Sequence, residues 1–324
     1  MSDTTNHVLR VERLTKHFPV GGGFLAGPPA VVHAVDGISF DIDRSETFGL
    51  VGESGCGKTT TGRMVLRLIR PTSGKVYFKG ENIFGFNAGG VKSLRRNMQI
   101  VFQDAYSSFD PRRTAGDIVE EPLRVHSLGT RQDRPLRVRE LFHLVGLQPE
   151  LANEYPHSLS SGQKQCVGIA RALAVHPEFI VCDEPVSNLD VSVRAQVLNL
   201  LKKLQDEMGL TYLFIAHDMS VIKFVSTRVA VMYLGLIVEL ALRRELFAEP
   251  LHPYTQALLA AVPVPNPRMR TRRALLEGDV PSPINPPPGC RFHTRCPRVM
   301  PVCKEVEPEL KEVAAGHLAA CHKL

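Results

Sequence analysis

The stretch TFGLVGESGCGKTT, Thr47–Thr60, decides the fold of this chain. Its first five residues form an apolar run typical of a short buried strand, and the residues after them match the spacing G-x-x-x-x-G-K-[ST] of a phosphate-binding loop. Glycines let such a loop bend around a phosphate, so that successive backbone N–H groups and the start of the next helix face the anion. The sequence therefore predicts a strand, a phosphate loop and a helix over residues 59–69.

Nine loop residues are candidates for binding the phosphates of a nucleotide: Gly52, Glu53, Ser54, Gly55, Cys56, Gly57, Lys58, Thr59 and Thr60. Within this set, Lys58 supplies a positive charge to the β- and γ-phosphates, and the hydroxyl of Thr59 is placed to bind Mg²⁺. The alternative is a chance glycine turn, but few chance matches also follow a strand pattern and open a helix pattern. ATP and Mg²⁺ are thus the expected ligands.

A second apolar run, FIVCDEP, ends in two carboxylates. We expect Asp183 to hold Mg²⁺ through its hydration shell, and Glu184 to act as the general base that activates water for attack on the γ-phosphate. An acidic pair at a strand end is commonly only a turn or a helix cap. The phosphate loop upstream favours the catalytic interpretation.

The segment LSSGQ, Leu159–Gln163, precedes the acidic strand and is followed by GIARAL. Together with the two motifs above, it resembles the signature of the ATP-binding-cassette (ABC) ATPases, which normally reads LSGGQ. At a helix N-terminus, Ser160, Gly162 and Gln163 would face the γ-phosphate of a nucleotide held by a second subunit. Ser160 is also a good N-cap for an ordinary helix, and the two roles are compatible.

Four isolated residues match further elements of this family. Gln103 in IVFQD resembles the Q-loop, Asp190 in SNLD the D-loop and His217 in IAHD the switch histidine. The resemblance implies that Gln103 and His217 join Glu184 in catalysis, that Gln103 also approaches Mg²⁺, and that Asp190 lies near the nucleotide. Phe18 stands where the family carries an aromatic side chain that stacks on adenine. Each match is weak alone, since a lone histidine at a strand end is more often packed or solvated and an exposed hydrophobic strand residue explains Phe18 equally well.

Passages outside the cassette resemble the ATPase subunits of bacterial dipeptide and oligopeptide importers. The most specific are HPYTQALL, residues 252–259, and PSPINPPPGCRFHTRCP, residues 281–297. The resemblance implies an ATPase that powers peptide import through closure of a head-to-tail cassette dimer, as a heterodimer with a second ABC ATPase. It also implies two integral membrane permease subunits, an extracytoplasmic peptide-binding protein, and a peripheral position on the cytoplasmic face of the inner membrane.

The expected fold is α/β: a RecA-like P-loop core with a β-rich subdomain and an inserted helical subdomain, followed by a small C-terminal domain rich in cysteine and proline. We place the ABC nucleotide-binding domain at residues 1–240, with the helical subdomain at about 104–178. The C-terminal extension, of the oligopeptide/dipeptide-transporter type, occupies residues 241–324. Proline density from residue 263 favours an extended connector within it.

Four of the seven cysteines, Cys290, Cys296, Cys303 and Cys321, lie in the last 35 residues with the spacing C-x5-C-x6-C-x17-C. This spacing lacks the paired C-x2-C of common zinc modules. Four thiolates suit one metal centre, and the resemblance to a subfamily that includes [4Fe–4S] proteins favours an iron–sulfur cluster. Structural Zn²⁺ is the main alternative, and unligated cysteines in a packed tail are a third.

The charge balance leaves one functional alternative. The 324 residues carry 39 Lys and Arg against 33 Asp and Glu, a net charge of +6, and no run of about 18 apolar residues, so neither secretion nor membrane spanning is predicted. The alternative is a soluble ABC ATPase that acts on nucleic acid, with the cysteine tail as a zinc module. The sequence feature that supports this alternative is a basic run, Arg268, Arg270, Arg272 and Arg273. The modest charge and the lack of interleaved aromatics argue against it, and no nucleic-acid partner is expected.

Three residues depart from the family pattern: Ser161 replaces the first signature glycine, Cys166 stands where arginine is usual, and Ser45 stands where a turn glycine is usual. If Ser161 had to adopt a positive φ, serine would cost about 1 kcal/mol relative to glycine and would weaken one composite ATP site. We expect Ser45 to affect only stability.

Overall fold

The computed structural model describes residues 7–21, 30–262 and 278–324. These residues form two compact units. The helical unit contains residues 7–8, Ile42–Glu46 and Glu81–Phe214, and the phosphate-loop unit contains residues 9–21, 30–41, Thr47–Gly80, 215–262 and 278–324. The basic run at residues 268–273 lies outside the described residues.

The strands are β1 (His7–Val20), β2 (Ala30–Asp43), β3 (Thr47–Val51), β4 (Ser73–Phe78), β5 (Glu81–Asn82), β6 (Met98–Val101), β7 (Phe179–Asp183), β8 (Thr211–Ala216), β9 (Arg228–Tyr233), β10 (Leu236–Leu242), β11 (Lys311–Ala314) and β12 (His317–Ala319). The α-helices are α1 (Lys58–Val65), α2 (Ala88–Asn97), α3 (Ala115–Val125), α4 (Asp133–Leu144), α5 (Ser161–Leu173), α6 (Val191–Met208), α7 (Met219–Val225), α8 (Arg243–Ala248) and α9 (Pro253–Ala260). Short 3-10 helices lie at Ile83–Gly85, Tyr106–Ser108, Pro149–Asn153, Pro156–Ser158, His293–Arg295 and Pro301–Lys304.

The phosphate-loop unit is built on two sheets. In one, β1 pairs antiparallel with β4, with Leu9 opposite Phe78. In the other, β3 runs parallel to β9, and β9, β10, β12 and β11 follow one another antiparallel. All five residues of β3 are buried, which explains its continuous apolar run. The C-terminal segment thus adds two strands to the sheet that positions the phosphate loop.

The helical unit combines a parallel strand pair with a set of packed helices. Strand β6 pairs with β7, with Val101 opposite Cys182. Helices α3, α4 and α5 pack on one another and all lie within the predicted helical subdomain. Thr114 begins α3 with a capping box, in which its hydroxyl accepts from the N–H of Asp117 and the Asp117 carboxylate accepts from the N–H of Thr114.

Some element bounds differ from the sequence predictions. Helix α1 ends at Val65 rather than at residue 69, because Arg67 takes a left-handed conformation, φ 54°, that a helix cannot continue. Residue 240, the predicted domain boundary, lies within β10. In the described part of the chain, no helix is both long and apolar enough to cross a membrane.

Candidate functional site

The phosphate loop lies between β3 and α1, and its two outer glycines are required by close backbone contacts. A Cβ atom on Gly52 would lie 2.1 Å from the carbonyl oxygen of Met232, and one on Gly57 would lie 2.1 Å from that of Ala34. Gly57 also has φ 107° at the N-cap of α1, a conformation that side chains rarely adopt. The loop therefore presents its backbone and the helix N-terminus together, as an anion site requires.

Lys58 is the first residue of α1 and is 4% exposed. Its Nζ donates to the carbonyl oxygens of Gly52, at 2.7 Å, and Glu53, at 2.9 Å, and also lies 3.7 Å from Cys56 Sγ. Burial raises the pKa of the Cys56 thiol, so it stays protonated beside the lysine. The ammonium group is thus held inside the loop, where a phosphate oxygen can replace the two carbonyls as its acceptor.

Two residues that sequence reasoning did not assign to the loop contact Glu53. The N–H of Glu53 donates to the hydroxyl oxygen of Tyr254 at 2.9 Å. The Arg295 guanidinium donates to both carboxylate oxygens of Glu53, at 2.7 and 3.1 Å. Both residues lie in passages singled out for their subfamily resemblance, but their sequences give no sign of this contact.

The acidic pair lies at the end of β7, in the helical unit. Asp183 is the last residue of the strand and is buried. Glu184 follows it with φ 47°, a left-handed conformation that is uncommon for a non-glycine residue. Its carbonyl oxygen accepts from the hydroxyl of Ser187 at 3.0 Å. Such strained backbone is typical of functional sites.

The signature segment begins helix α5. Ser160 is the N-cap: its hydroxyl accepts from the N–H of Gln163 at 3.3 Å, while the Gln163 amide oxygen accepts from the N–H of Ser160 at 2.8 Å. A Cβ atom on Gly162 would lie 2.5 Å from Val193 Cγ1, so this glycine allows the close approach of α6.

The structure corrects one expectation about the signature. Ser161 is the first residue of α5, with a helical backbone rather than a positive φ. The condition on which the predicted strain depended is therefore not met. By contrast, Ser45 does have a positive φ, 58°, and its hydroxyl donates to the carbonyl of Gly209 at 3.2 Å.

The remaining predicted residues lie at the ends of strands and helices. Asp190 is the N-cap of α6, and its pKa lies below the usual value because the N–H of Val193 and the hydroxyl of Ser192 donate to its carboxylate. Gln103 is exposed, just after β6, and the buried Gln165 donates to the carbonyl of the preceding residue at 3.1 Å. Sequence reasoning did not single out Gln165, which holds the backbone next to Gln103.

The motif residues divide between the two units. The phosphate-loop unit contains His217, which is exposed and follows β8. It also contains Phe18, which lies on β1, and the Nζ of Lys16 lies 4.8 Å from the ring centre of Phe18. The helical unit contains Gln103, the signature segment, the acidic pair and Asp190. Each unit therefore carries part of the expected nucleotide machinery.

The four cysteines of the C-terminal segment lie near one another. The N–H of Cys290 donates to the carbonyl of Cys303 at 2.8 Å. Burial raises the pKa of the Cys290 thiol to about 11, and the neighbouring thiols of Cys303, Cys296 and Cys321 add to the rise. Burial also raises the pKa of Cys166, on α5, to about 11, so this thiol stays protonated at neutral pH.

Comparison with known proteins gives matches over nearly the whole chain. Residues 35–187 match the ABC transporter family, and residues 238–303 match the oligopeptide/dipeptide transporter C-terminal region. The oligopeptide transport ATP-binding protein AppF of Bacillus subtilis is 51% identical over 318 residues, which cover 97% of each chain. A probable peptide ABC transporter ATP-binding protein of Sinorhizobium fredii, y4tS, is 50% identical over 99% of this chain and 90% of its own length.

Solved structures share the cassette fold. The ATP-binding cassette MJ0796, in a dimeric post-hydrolysis state bound to ADP and Pi, superposes with a TM-score of 0.65 at 30% identity, over 73% of this chain and 99% of its own. The protein cbiO1 of Clostridium perfringens, part of an ABC transporter complex, gives a TM-score of 0.64 at 27% identity, over 76% and 92% of the two chains. These likenesses confirm the predicted α/β fold of an ABC nucleotide-binding domain.

Proposed function

The chain belongs to the ABC transporter family, in the branch with the oligopeptide/dipeptide transporter C-terminal region, and from that membership we propose that it hydrolyses ATP to power a peptide importer. The observation that carries the proposal is the phosphate loop, in which the buried ammonium of Lys58 lies beside the N-terminus of α1. Glycines at both ends of the loop expose its backbone N–H groups. This arrangement suits a nucleoside triphosphate more than any other ligand.

Binding uses the loop as an anion site. The loop N–H groups and Lys58 take the β- and γ-phosphate oxygens, and Phe18 stacks on the adenine. Thr59, Gln103 and Asp183 are the candidates for holding Mg²⁺, which would neutralise phosphate charge when bound there. The hydroxyl, amide and carboxylate oxygens of these three residues fit that ion.

Hydrolysis depends on Glu184, which follows β7, and on His217, which follows β8. Glu184 accepts a proton from the water whose oxygen attacks the γ-phosphorus, while the bond from that phosphorus to the β–γ bridging oxygen breaks to release ADP. His217 donates to the γ-phosphate and, with Gln103, orients the water.

A complete site includes a second subunit. Ser160, Gly162 and Gln163 begin a helix, so their N–H groups and the helix dipole suit the γ-phosphate of a nucleotide held by a partner. Asp190, at the start of the next helix, is the D-loop residue of the same surface. We propose that the partner is a different ABC ATPase, and that ATP binding closes the head-to-tail dimer.

The full importer adds membrane components. A membrane permease follows from the peptide-transport likeness, and we propose two permease subunits together with an extracytoplasmic peptide-binding protein. The chain would sit peripherally on the cytoplasmic face of the membrane. The alternative, an ABC ATPase acting on nucleic acid, gains nothing from the comparisons, because both relatives described above are named for peptide transport.

The described residues after 241 belong to the phosphate-loop unit, and their cysteines are suited to a [4Fe–4S] cluster. The thiols of Cys290, Cys296, Cys303 and Cys321 influence one another electrostatically, so four sulfur donors lie near one another in one short segment. We propose these four as the cluster's ligands on the chemistry of the donor set, with structural Zn²⁺ as the alternative.

The proposal is tested by purification of the tagged chain from its own cells in mild detergent under anaerobic conditions. Co-purification of two integral membrane proteins with a second cassette ATPase is the expected result, and mass spectrometry identifies them. Recovery with nucleic acid or repair proteins, and without a membrane partner, would contradict peptide import and favour the alternative.

A further inference from the structure

The carboxylate of Glu53, the second residue of the phosphate loop, is paired with the C-terminal segment. Arg295 Nη1 lies 2.7 Å from one carboxylate oxygen, and Nη2 lies 3.1 Å from the other. The side chain of Arg295 is only 6% exposed and that of Glu53 is 28% exposed. This is a bidentate ion pair largely shielded from water, the geometry in which such pairs are strong and directional.

The backbone of Glu53 is fixed as well. Its N–H donates to the hydroxyl oxygen of Tyr254 at 2.9 Å, and its carbonyl accepts from Lys58 at 2.9 Å. The side chain, the N–H and the carbonyl of this one loop residue therefore each have a partner. Two of the three partners come from the region after residue 241, and the third is the lysine expected to bind phosphate.

The partners of Glu53 are themselves held by an aromatic cluster. Phe292 is fully buried, and its ring centre lies 5.3 Å from that of Tyr233 and 5.4 Å from that of Tyr254. Phe292 and Arg295 belong to the same short segment between Cys290 and Cys296, so packing of the first sets the position of the second. The guanidinium is thus preorganised to meet the loop.

We propose that Arg295 is a positioning residue for ATP binding, which acts through Glu53 on the phosphate loop. The inference rests on the ATP site proposed above. It follows from charge: a free carboxylate beside the triphosphate site would repel the ligand, and pairing with a guanidinium cancels that repulsion. The backbone of Glu53 keeps its own partners, Tyr254 and Lys58, so loss of the pair exposes the charge without releasing the loop. The C-terminal segment therefore contributes directly to the affinity of the ATP site.

Binding of the fluorescent analogue mant-ATP with Mg²⁺ to the full-length chain tests this inference. Arg295→Met should weaken binding by about tenfold or more, the loss expected for a hydrogen-bonded charge pair. The combination of Arg295→Met with Glu53→Gln should restore the Kd to within about threefold of the unaltered chain, because the repelling charge is then gone. Arg298→Met, an exposed arginine of the same segment, is the matched control and should change the Kd less than about twofold.

Other outcomes would overturn the inference. The first is a Kd for Arg295→Met within about twofold of that of the unaltered chain. The second is a loss of affinity that the added Glu53→Gln substitution fails to restore, since a merely structural role of Arg295 predicts no such rescue. If Arg295→Met does not fold, Arg295→Lys serves instead, because lysine keeps the charge without the bidentate geometry. This variant should bind mant-ATP about two- to fivefold more weakly than the unaltered chain. Unchanged binding would contradict the inference. Failure of the unaltered chain to bind mant-ATP would instead overturn the ATP site itself, and this inference with it.

Discussion

At the scale of single residues, Glu184 combines a candidate catalytic role with an uncommon backbone. Its φ of 47° costs about 1 kcal/mol or more for a residue with a side chain, and the fold maintains it directly after the buried Asp183. Strain of this kind at a strand end, next to a Mg²⁺ candidate, is more easily explained by a fixed carboxylate than by a simple turn.

Replacement of Glu184 by Gln should leave ATP binding unchanged, because the two side chains have the same shape. Turnover should fall by about a hundredfold or more, the loss expected when a general base is removed. Phosphate release and equilibrium binding of mant-ATP measure the two effects separately. Glu150→Gln, on the exposed surface of the same unit, is the control, and an unchanged rate for Glu184→Gln would remove this residue from the base role.

The helical backbone of Ser161 gives a second prediction at this scale. Ser161→Gly should lower the free energy of unfolding by up to about 1 kcal/mol, because glycine loses more conformational entropy in a helix. ATPase activity should change by less than about threefold, since no strain is relieved. Urea denaturation and phosphate release check the two values, and a clear gain in stability would show that the serine is strained after all.

At the scale of elements, helix α9 begins with a buried histidine. His252 is the N-cap: its Nδ1 accepts from the N–H of Tyr254 at 3.1 Å, and its own backbone N–H donates to the carboxylate of Glu239 at 2.9 Å. Burial lowers the pKa of His252 to about 4, so the ring is neutral and able to accept at neutral pH.

This cap predicts a pH dependence with a definite sign. The neutral form is favoured in the folded state, so its contribution is complete above the ordinary pKa of 6.5 and is lost as pH falls towards 4. Between pH 7.5 and pH 5 the loss should be about 2 kcal/mol in the free energy of unfolding. Urea denaturation at the two pH values measures it. His252→Asn keeps a cap acceptor without a titrating ring, so this variant should lose about 2 kcal/mol less, and equal losses would contradict the assignment.

The cysteine segment makes a separate prediction. If the four thiolates hold a cluster, Cys296→Ser should remove the iron and unfold the segment from residue 278 onwards, because the cluster would join four points of a segment with little regular structure. Iron content and amide hydrogen exchange of the segment are the measurements, with Cys166→Ser as the control. Retained protection in a protein without iron would show that packing alone holds the segment.

Element by element, the sequence predicted best where strands are fully buried. Strand β3 coincides with its predicted span, since every one of its five residues is buried. Strands β1 and β2 are 14 residues each, and their half-exposed portions carry no continuous apolar run from which the sequence could have given their ends. Strands β11 and β12 were not predicted, because they are short and depend on pairing, β12 with β10 and β11 with β12.

The candidate site was likewise predicted only in part from the sequence. The motif residues were found because each motif is local, with its chemistry in consecutive residues. The contacts of Glu53 with Tyr254 and Arg295 join residues 201 and 242 positions apart, and no local pattern marks them. Such contacts exist only because the C-terminal segment extends the sheet that carries the phosphate loop.

At the scale of the whole molecule, the proposed machinery is incomplete in one chain. The signature segment begins a helix whose exposed N-cap, Ser160, suits a nucleotide phosphate held by another subunit. Hydrolysis then requires assembly, and the affinity between subunits depends on ATP as a shared ligand. A chain that hydrolyses poorly should therefore remain trapped in the assembled state.

The proposed heterodimer gives the last prediction. With ATP and Mg²⁺, the Glu184→Gln chain should stay monomeric alone and should form a one-to-one complex when mixed with the second cassette ATPase that co-purifies with it. Size-exclusion chromatography with light scattering measures the mass of each species. The combination of Glu184→Gln with Lys58→Met should weaken the complex, because this chain no longer holds its own ATP while the ATP held by the partner remains. An ATP-dependent dimer of this chain alone, as stable as the mixed complex, would replace the heterodimer with a homodimer and would still retain the composite site.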